Sequence, residues 1–188
     1  MRVENEIHEP SANEPDKDDT TPADARFADN IRRAKMRNDV HILIADDDMG
    51  HATLIQRNLK RSGLSNHLIH FKDGRELLDF LFNSDNEPHY QVGISYLLLL
   101  DIRMPKVDGV EALLRIKEDP MLKKIPVIML TTTDDPGEIE KCHILGCNSY
   151  IVKPINYEKF VEAINKLGIF LQVIEVPRLD LGHSIGIQ

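Results

Sequence analysis

The chain has 188 residues, 41% of them hydrophobic and 29% charged, and carries a formal net charge of -8. That length suits one domain with its own core plus additional material at the ends, and the acidic balance excludes general polyanion binding, which needs Lys and Arg to neutralise phosphates. The longest apolar run, 96–100, is far too short to span a bilayer, and Cys142 and Cys147 have no second Cys or His pair at a metal-site spacing, so they read as reduced structural thiols.

Residues 1–39 hold few large apolar side chains and place Pro10, Pro15 and Pro22 among many carboxylates, a composition that cannot offset the entropy of ordering. A disordered tail is expected. Its polar, acidic start lacks the apolar stretch of a secretory signal, which predicts a cytosolic protein. Toward its end Arg26, Arg32, Arg33, Lys35 and Arg37 follow the acids, with Phe27 and Ile31 one turn apart. A solvated helix or linker and a docking segment are both open readings.

From Val40 short apolar runs alternate with stretches of helical period, the pattern of repeated strand-helix units around a parallel sheet. Strands are predicted at 40–45, 67–71, 96–100, 127–130 and 150–152. Helices are predicted at 49–61, 74–82, 110–118, 136–145 and 157–167. Gly63 and Gly146 suit helix ends that need a positive φ, Asp108 suits an N-cap, and Pro136 suits a first helical turn. The polar stretch 83–95 reads as a surface loop. Beyond the fifth helix, 169–176 is a short apolar run stopped by Pro177 that has no place in a five-strand core.

In an open parallel sheet, ligands gather beyond the carboxyl ends of the strands. Four predicted strands deliver polar residues there: Asp46, Asp47 and Asp48 after the first, Asp101 after the third, Thr131 to Thr133 after the fourth, and Lys153-Pro154 after the fifth. Clustered carboxylates raise one another's pKa unless a cation sits among them, and hard oxygen ligands suit Mg²⁺. Asp101 could then attack phosphorus as a nucleophile, with Lys153 and Thr131 completing a cradle for the transferred group. Each residue also has a plain reading, as a helix cap, a solvated charge or a turn hydroxyl. Their conjunction at four strand ends is what points to a site. His41, His67 and His70 read as satisfied structural histidines.

The segments ILIADDD, LLLLDIRMPKVDG, PVIMLTTTD and YIVKP resemble, in order and spacing, the receiver domains of two-component response regulators, over roughly 40–167. The resemblance implies a doubly wound, flavodoxin-like five-stranded parallel sheet of order 2-1-3-4-5 with five helices on its two faces, flanked by the tail at 1–39 and an extended C-terminal arm at 168–188. It makes Asp101 the phosphoacceptor, Asp47 a direct Mg²⁺ ligand, Asp46 a contact through water and the Arg103 carbonyl a further ligand. Lys153 and Thr131 become the phosphoryl-binding pair, and Tyr150 the aromatic that reports the position of the Thr131 loop. Asp48, outside the matched pair, is left as a cap. A cis Lys153-Pro154 bond is implied, and Arg103 and Thr133 fall at positions that in the family tune phosphoryl lifetime.

The ending LGIFLQVIEVP, with LTTTDD and KPINYEKFVEAI, is similar to the small single-domain regulators that partner bacterial phytochromes. This implies a sensor histidine kinase of phytochrome type as donor and a homodimer through the C-terminal arm, although an arm folded back on its own domain is equally a reading of 169–176. No enzymatic turnover, DNA partner or membrane partner is expected, since the residues after Leu167 are too few for a DNA-binding module. Two rivals remain. A Mg²⁺-dependent phosphohydrolase of the haloacid type would need a second Asp where Arg103 stands, and a pseudo-receiver would not need Asp47, Asp101, Thr131 and Lys153 together.

Overall fold

The computed structural model describes residues 40–64, 67–82 and 89–180. The expected tail at 1–39, with its basic segment, and the end of the expected arm at 181–188 lie outside the described residues. Strand β1 (Val40–Ala45) leads into helix α1 (Met49–Arg61), β2 (Leu68–Phe71) into α2 (Gly74–Phe82), and β3 (Ser95–Asp101) into α3 (Gly109–Glu118). A short 3₁₀ turn (Leu122–Lys124) precedes β4 (Val127–Thr131), then α4 (Pro136–Ile144), β5 (Ser149–Val152) and α5 (Tyr157–Leu171). The five strands form one parallel sheet of order β2-β1-β3-β4-β5. This is the flavodoxin-like order expected.

Alternation along the strands builds two cores, one on each sheet face. Ile42, Ile44, Leu97 and Leu99 pack with Ile55 and Leu59 of α1 and with Phe160 and Ile164 of α5. Leu43, Leu98, Leu100 and Met129 point the other way, into a cluster with Leu77 and Leu81 of α2, Leu113 and Ile116 of α3 and Cys142 of α4. Strand β3 is buried along its whole length, as the central strand covered on both faces must be. Each of its buried leucines stabilises the fold by about 1.5–3 kcal/mol relative to exposure. Both cysteines are free and buried, and burial pushes the Cys142 thiol up to about 11.

Helix starts follow local chemistry. Asp48 accepts from the N–H groups of Gly50 and His51, Asp108 from Glu111, Asp135 from Glu138 and Asn156 from Lys159. These bonds satisfy donors that the first helical turn leaves free. Gly63 and Gly146, φ +82° and +96°, close α1 and α4 as expected. Of the predicted loop 83–95, residues 83–88 lie outside the described residues, Tyr90 and Ile94 pack on the core, and Ser95 opens β3 opposite Val40.

Two expectations are corrected. Helix α5 runs on to Leu171, past the predicted end at 167, because Leu167 and Leu171 continue the buried stripe of Phe160 and Ile164. Gly168 lies within this stripe, where a Cβ would collide with the Ser62 side chain. From Gln172 the chain then folds back on its own domain. Ser95 and Arg178 form an antiparallel bridge, Ser95 Oγ donates to the Val176 carbonyl (3.0 Å), and Leu179 is fully buried. The described part of the arm is therefore a strap across the amino-terminal end of β3. Secondly, no cis peptide bond occurs among the described residues, so Lys153-Pro154 is trans, the ordinary preference of an X-Pro bond, and Lys153 reaches the strand-end carboxylates without the isomer expected. No helix among the described residues is long and apolar enough to cross a membrane.

Candidate functional site

The carboxyl ends of β1, β3, β4 and β5 meet because neighbouring strands run parallel in near register, Ala45 beside Leu100, Asp101 beside Leu130 and Thr131 beside Val152. Asp46 leaves β1 and is 1% exposed, Asp101 ends β3 at 6%, and Lys153 follows β5 at 4%. The Lys153 ammonium donates to Asp101 Oδ2 at 2.6 Å and to Asp46 Oδ2 at 2.8 Å. Asp47, exposed, offers an oxygen to the same cluster: one carboxylate oxygen each of Asp46, Asp47 and Asp101 lie within 4.8 Å of one another.

Three carboxylates against one ammonium leave two negative charges in a small volume. Burial pushes the Asp101 carboxyl above its ordinary value; Lys153 opposes that push and the neighbouring Asp46 charge adds to it. An all-oxygen set with this charge deficit fits a hard divalent cation. Asp48 does not join the set but caps α1, as expected of it.

Thr131, fully buried at the end of β4, accepts through Oγ1 from the Thr133 N–H at 3.2 Å. Tyr150 on β5 donates its hydroxyl to the Thr133 carbonyl at 3.2 Å. Burial, and then the negative charge of Glu138, push this phenol up to about 12, so it stays a donor throughout the physiological range. Thr131, Thr133 and Tyr150 thus form one hydrogen-bonded unit beside the acidic cluster.

The loop from Asp101 to α3 is clamped from several sides. Gly109 donates to the Ile102 carbonyl at 2.9 Å, and a Cβ there would collide with the Asp101 carbonyl. A Cβ on Gly74 would collide with the Val107 carbonyl. Asp73, 1% exposed, takes the Lys106 ammonium at 2.6 Å, and Lys106 holds φ +65°, rare for a residue with a side chain. Arg103 donates its backbone N–H to Asp101 Oδ1 at 3.4 Å and its guanidinium to Glu138 at 3.0 Å.

The fold gathers the expected site residues Asp46, Asp47, Asp101, Arg103, Thr131, Tyr150 and Lys153 near one sheet edge. Asp73, Lys106, Gly109 and Glu138, and His51, whose Nδ1 stands 4.0 Å from Asp46 Oδ1, join them without being expected from the sequence. Asp73-Gly74 before an apolar helical run is a legible cap-and-turn signal, but nothing local in sequence ties Lys106 or Glu138 to a partner more than thirty residues away. His70, read as structural, donates from Nε2 to the Asp46 carbonyl at 2.8 Å.

The family model described as the response regulator receiver domain matches residues 42–165. Response regulator Rcp1 of Synechocystis is 32% identical over 140 residues, 72% of this chain and 92% of its own. The crystal structure of a response regulator receiver domain from Rhodospirillum rubrum is 44% identical, covers 74% of this chain and 99% of its own, and superposes with a TM-score of 0.71. The Mn²⁺-bound form of Rcp1 (30% identity, 73% and 98% covered, TM-score 0.63) and the phosphorylated cyanobacterial phytochrome response regulator RcpA (30%, 73% and 97%, 0.66) share the fold.

Proposed function

Because the chain belongs to the response regulator receiver family of two-component signalling, we propose that Asp101 accepts a phosphoryl group from the phosphohistidine of a sensor histidine kinase in a Mg²⁺-dependent reaction. The observation that carries this reading is the buried Lys153 ammonium shared by Asp101 and Asp46 beside Asp47, a carboxylate set left short of positive charge that a divalent cation and Lys153 together would complete.

Asp46, Asp47, Asp101 and the Arg103 carbonyl would hold a divalent cation, which would neutralise the incoming phosphoryl charge. The rest falls to the chain's own groups. An Asp101 carboxylate oxygen bonds to phosphorus while the donor imidazole nitrogen leaves with the electron pair, forming an acyl phosphate. Lys153 stays within reach of one phosphoryl oxygen, and the Thr131 hydroxyl turns from Thr133 to another. Turning frees the N–H of Thr133, the residue whose carbonyl Tyr150 holds, so chemistry at Asp101 is read out on β4 and β5. The chain reads as a signalling phosphoprotein of the cytosol rather than a turnover enzyme.

The likeness to RcpA, and to bacteriophytochrome response regulators of 38% and 34% identity, supports a phytochrome-type kinase as donor. Self-association belongs to the same reading: Ile169, Phe170 and Val173 stay exposed at the start of the C-terminal arm, an apolar strip that a second copy would cover. The receiver core at 40–167 and the arm at 168–188 are then the working parts.

The test is incubation with Mg²⁺ and acetyl phosphate or phosphoramidate, followed by mass spectrometry. One labile phosphoryl group on Asp101, absent from Asp101→Asn and from EDTA-treated protein, is expected. No uptake sinks the reading in favour of an unphosphorylated scaffold, and steady release of inorganic phosphate from many small esters favours a phosphohydrolase.

A further inference from the structure

Among the described residues, Glu138 Oε2 is the buried side-chain polar atom that lacks a hydrogen-bond partner. The other oxygen, Oε1, accepts from the Arg103 guanidinium at 3.0 Å. The guanidinium has five donors to give and the carboxylate two oxygens to receive, yet one bond joins them. Glu138 is 17% exposed and Arg103 69%. An ion pair with one end in water is weakly held, so a stronger anion nearby can take the arginine away.

Such an anion would arise two residues from Arg103. A phosphoryl group carries about two negative charges and three strong acceptor oxygens, and a guanidinium binds it in a fork. The same pair also joins the two moving parts of the site. Arg103 belongs to the loop that holds Asp101, while Glu138 lies in the first turn of α4, capped by Asp135, directly after the Thr131–Thr133 segment. Its charge reaches Tyr150, whose hydroxyl holds that segment.

We propose that Glu138 is a positioning residue that holds the Arg103 guanidinium off the acceptor and competes with the phosphoryl group for it, thereby setting the lifetime of the phosphorylated state. The proposal rests on Asp101 being the phosphoacceptor. Loss of the group is hydrolysis: water oxygen bonds to phosphorus, the bond to the Asp101 oxygen breaks with its electron pair staying on the carboxylate, and the water proton leaves with inorganic phosphate. A guanidinium lying on the phosphoryl oxygens covers the approach of that water; Glu138 draws it aside and keeps the approach open.

The experiment follows decay of the phosphoryl group in wild type, Glu138→Gln, Arg103→Ala and the double variant, each loaded with acetyl phosphate and Mg²⁺ and then desalted. Glu138→Gln is expected to lengthen the half-life about two- to fivefold, the range open to release of one weak pair, and to do nothing further once Arg103 is alanine. An unchanged half-life in Glu138→Gln, or the same lengthening in the Arg103→Ala background, overturns the proposal. Wild type that takes up no phosphoryl group defeats the phosphoacceptor reading instead. The pair is then read alone from ¹⁵N relaxation of the Arg103 Nε–H group, where Glu138→Gln must increase its mobility, and equal mobility overturns Glu138 as the holder of Arg103.

Discussion

Lys153 and Asp101, from strands that are not neighbours in the sheet, meet at 2.6 Å with β4 between them. The ammonium and the carboxylate are each less than a tenth exposed, and the same ammonium holds Asp46. Removing it strands two buried carboxylates. Lys153→Met is therefore expected to destabilise the metal-free protein by about 3–5 kcal/mol, the usual cost of taking one partner from a buried pair, as read from urea unfolding. Mg²⁺ should raise the midpoint of the variant more than that of wild type, since a cation among the three carboxylates replaces the lost charge. Equal shifts in both proteins would show that the carboxylates do not share a cation.

Gly109 and Gly93 separate two reasons for a glycine. At Gly93, φ +88° with open space around it, alanine is expected to cost about 1 kcal/mol from backbone strain and to leave phosphoryl uptake unchanged. At Gly109 a methyl group meets the Asp101 carbonyl, so Gly109→Ala must displace the end of β3 or the start of α3. A large fall in the uptake rate from acetyl phosphate and in Mn²⁺ affinity is expected there, and comparable rates in the two variants would refute the clamp.

Acid should weaken the hold of Asp73 on Lys106 in the loop after Asp101. Burial pushes this carboxyl up, but the hydrogen bond from Lys106, the Glu76 N–H and the Lys106 charge outweigh it, so it lies below its ordinary value of 3.8. The unfolded chain then binds the proton more readily than the folded one, and the stabilisation is present above the ordinary value and lost as pH falls through the folded one. Asp73→Asn is expected to be less stable than wild type at pH 7, with the gap closing below 3.8. A gap independent of pH would place the effect in packing alone.

Leu179 is fully buried in a segment with little regular structure. Its N–H donates to the Ile94 carbonyl and its carbonyl accepts from Gly93, so the strap is bonded through backbone and side chain together. Leu179→Ala should cost about 2–5 kcal/mol in urea unfolding while leaving Mn²⁺ affinity unchanged. A cost below about 0.5 kcal/mol, the level of an ordinary surface change, would mean that the strap is loosely held.

The fold was legible because the sheet advertises itself: LLLLD and PVIML are too short for helices and too apolar for loops, and period-2 alternation sorts Leu97 and Leu99 from Leu98 and Leu100 onto opposite faces. The candidate site was legible for the same reason, since strand ends mark the edge where Asp46, Asp101, Thr131 and Lys153 must gather. What stayed hidden depends on distance in sequence. The extension of α5 hung on whether Leu171 would find core to cover, and the strap on Ser95 pairing with Arg178, across a gap that no local pattern spans. Glu138 reads as an ordinary acidic residue in a first helical turn until Arg103 is seen beside it.

Strand β3 carries the strap at its first residue and Asp101 at its last, and its seven-residue length holds these poles roughly 20 Å apart. A fluorophore or surface linker attached at Asp180 would therefore stand at the antipode of the acidic cluster. Anchored that way on a sensor chip, the molecule would present the edge that holds Asp101 outward, whereas a label near Met49 or Ile155 would crowd that edge.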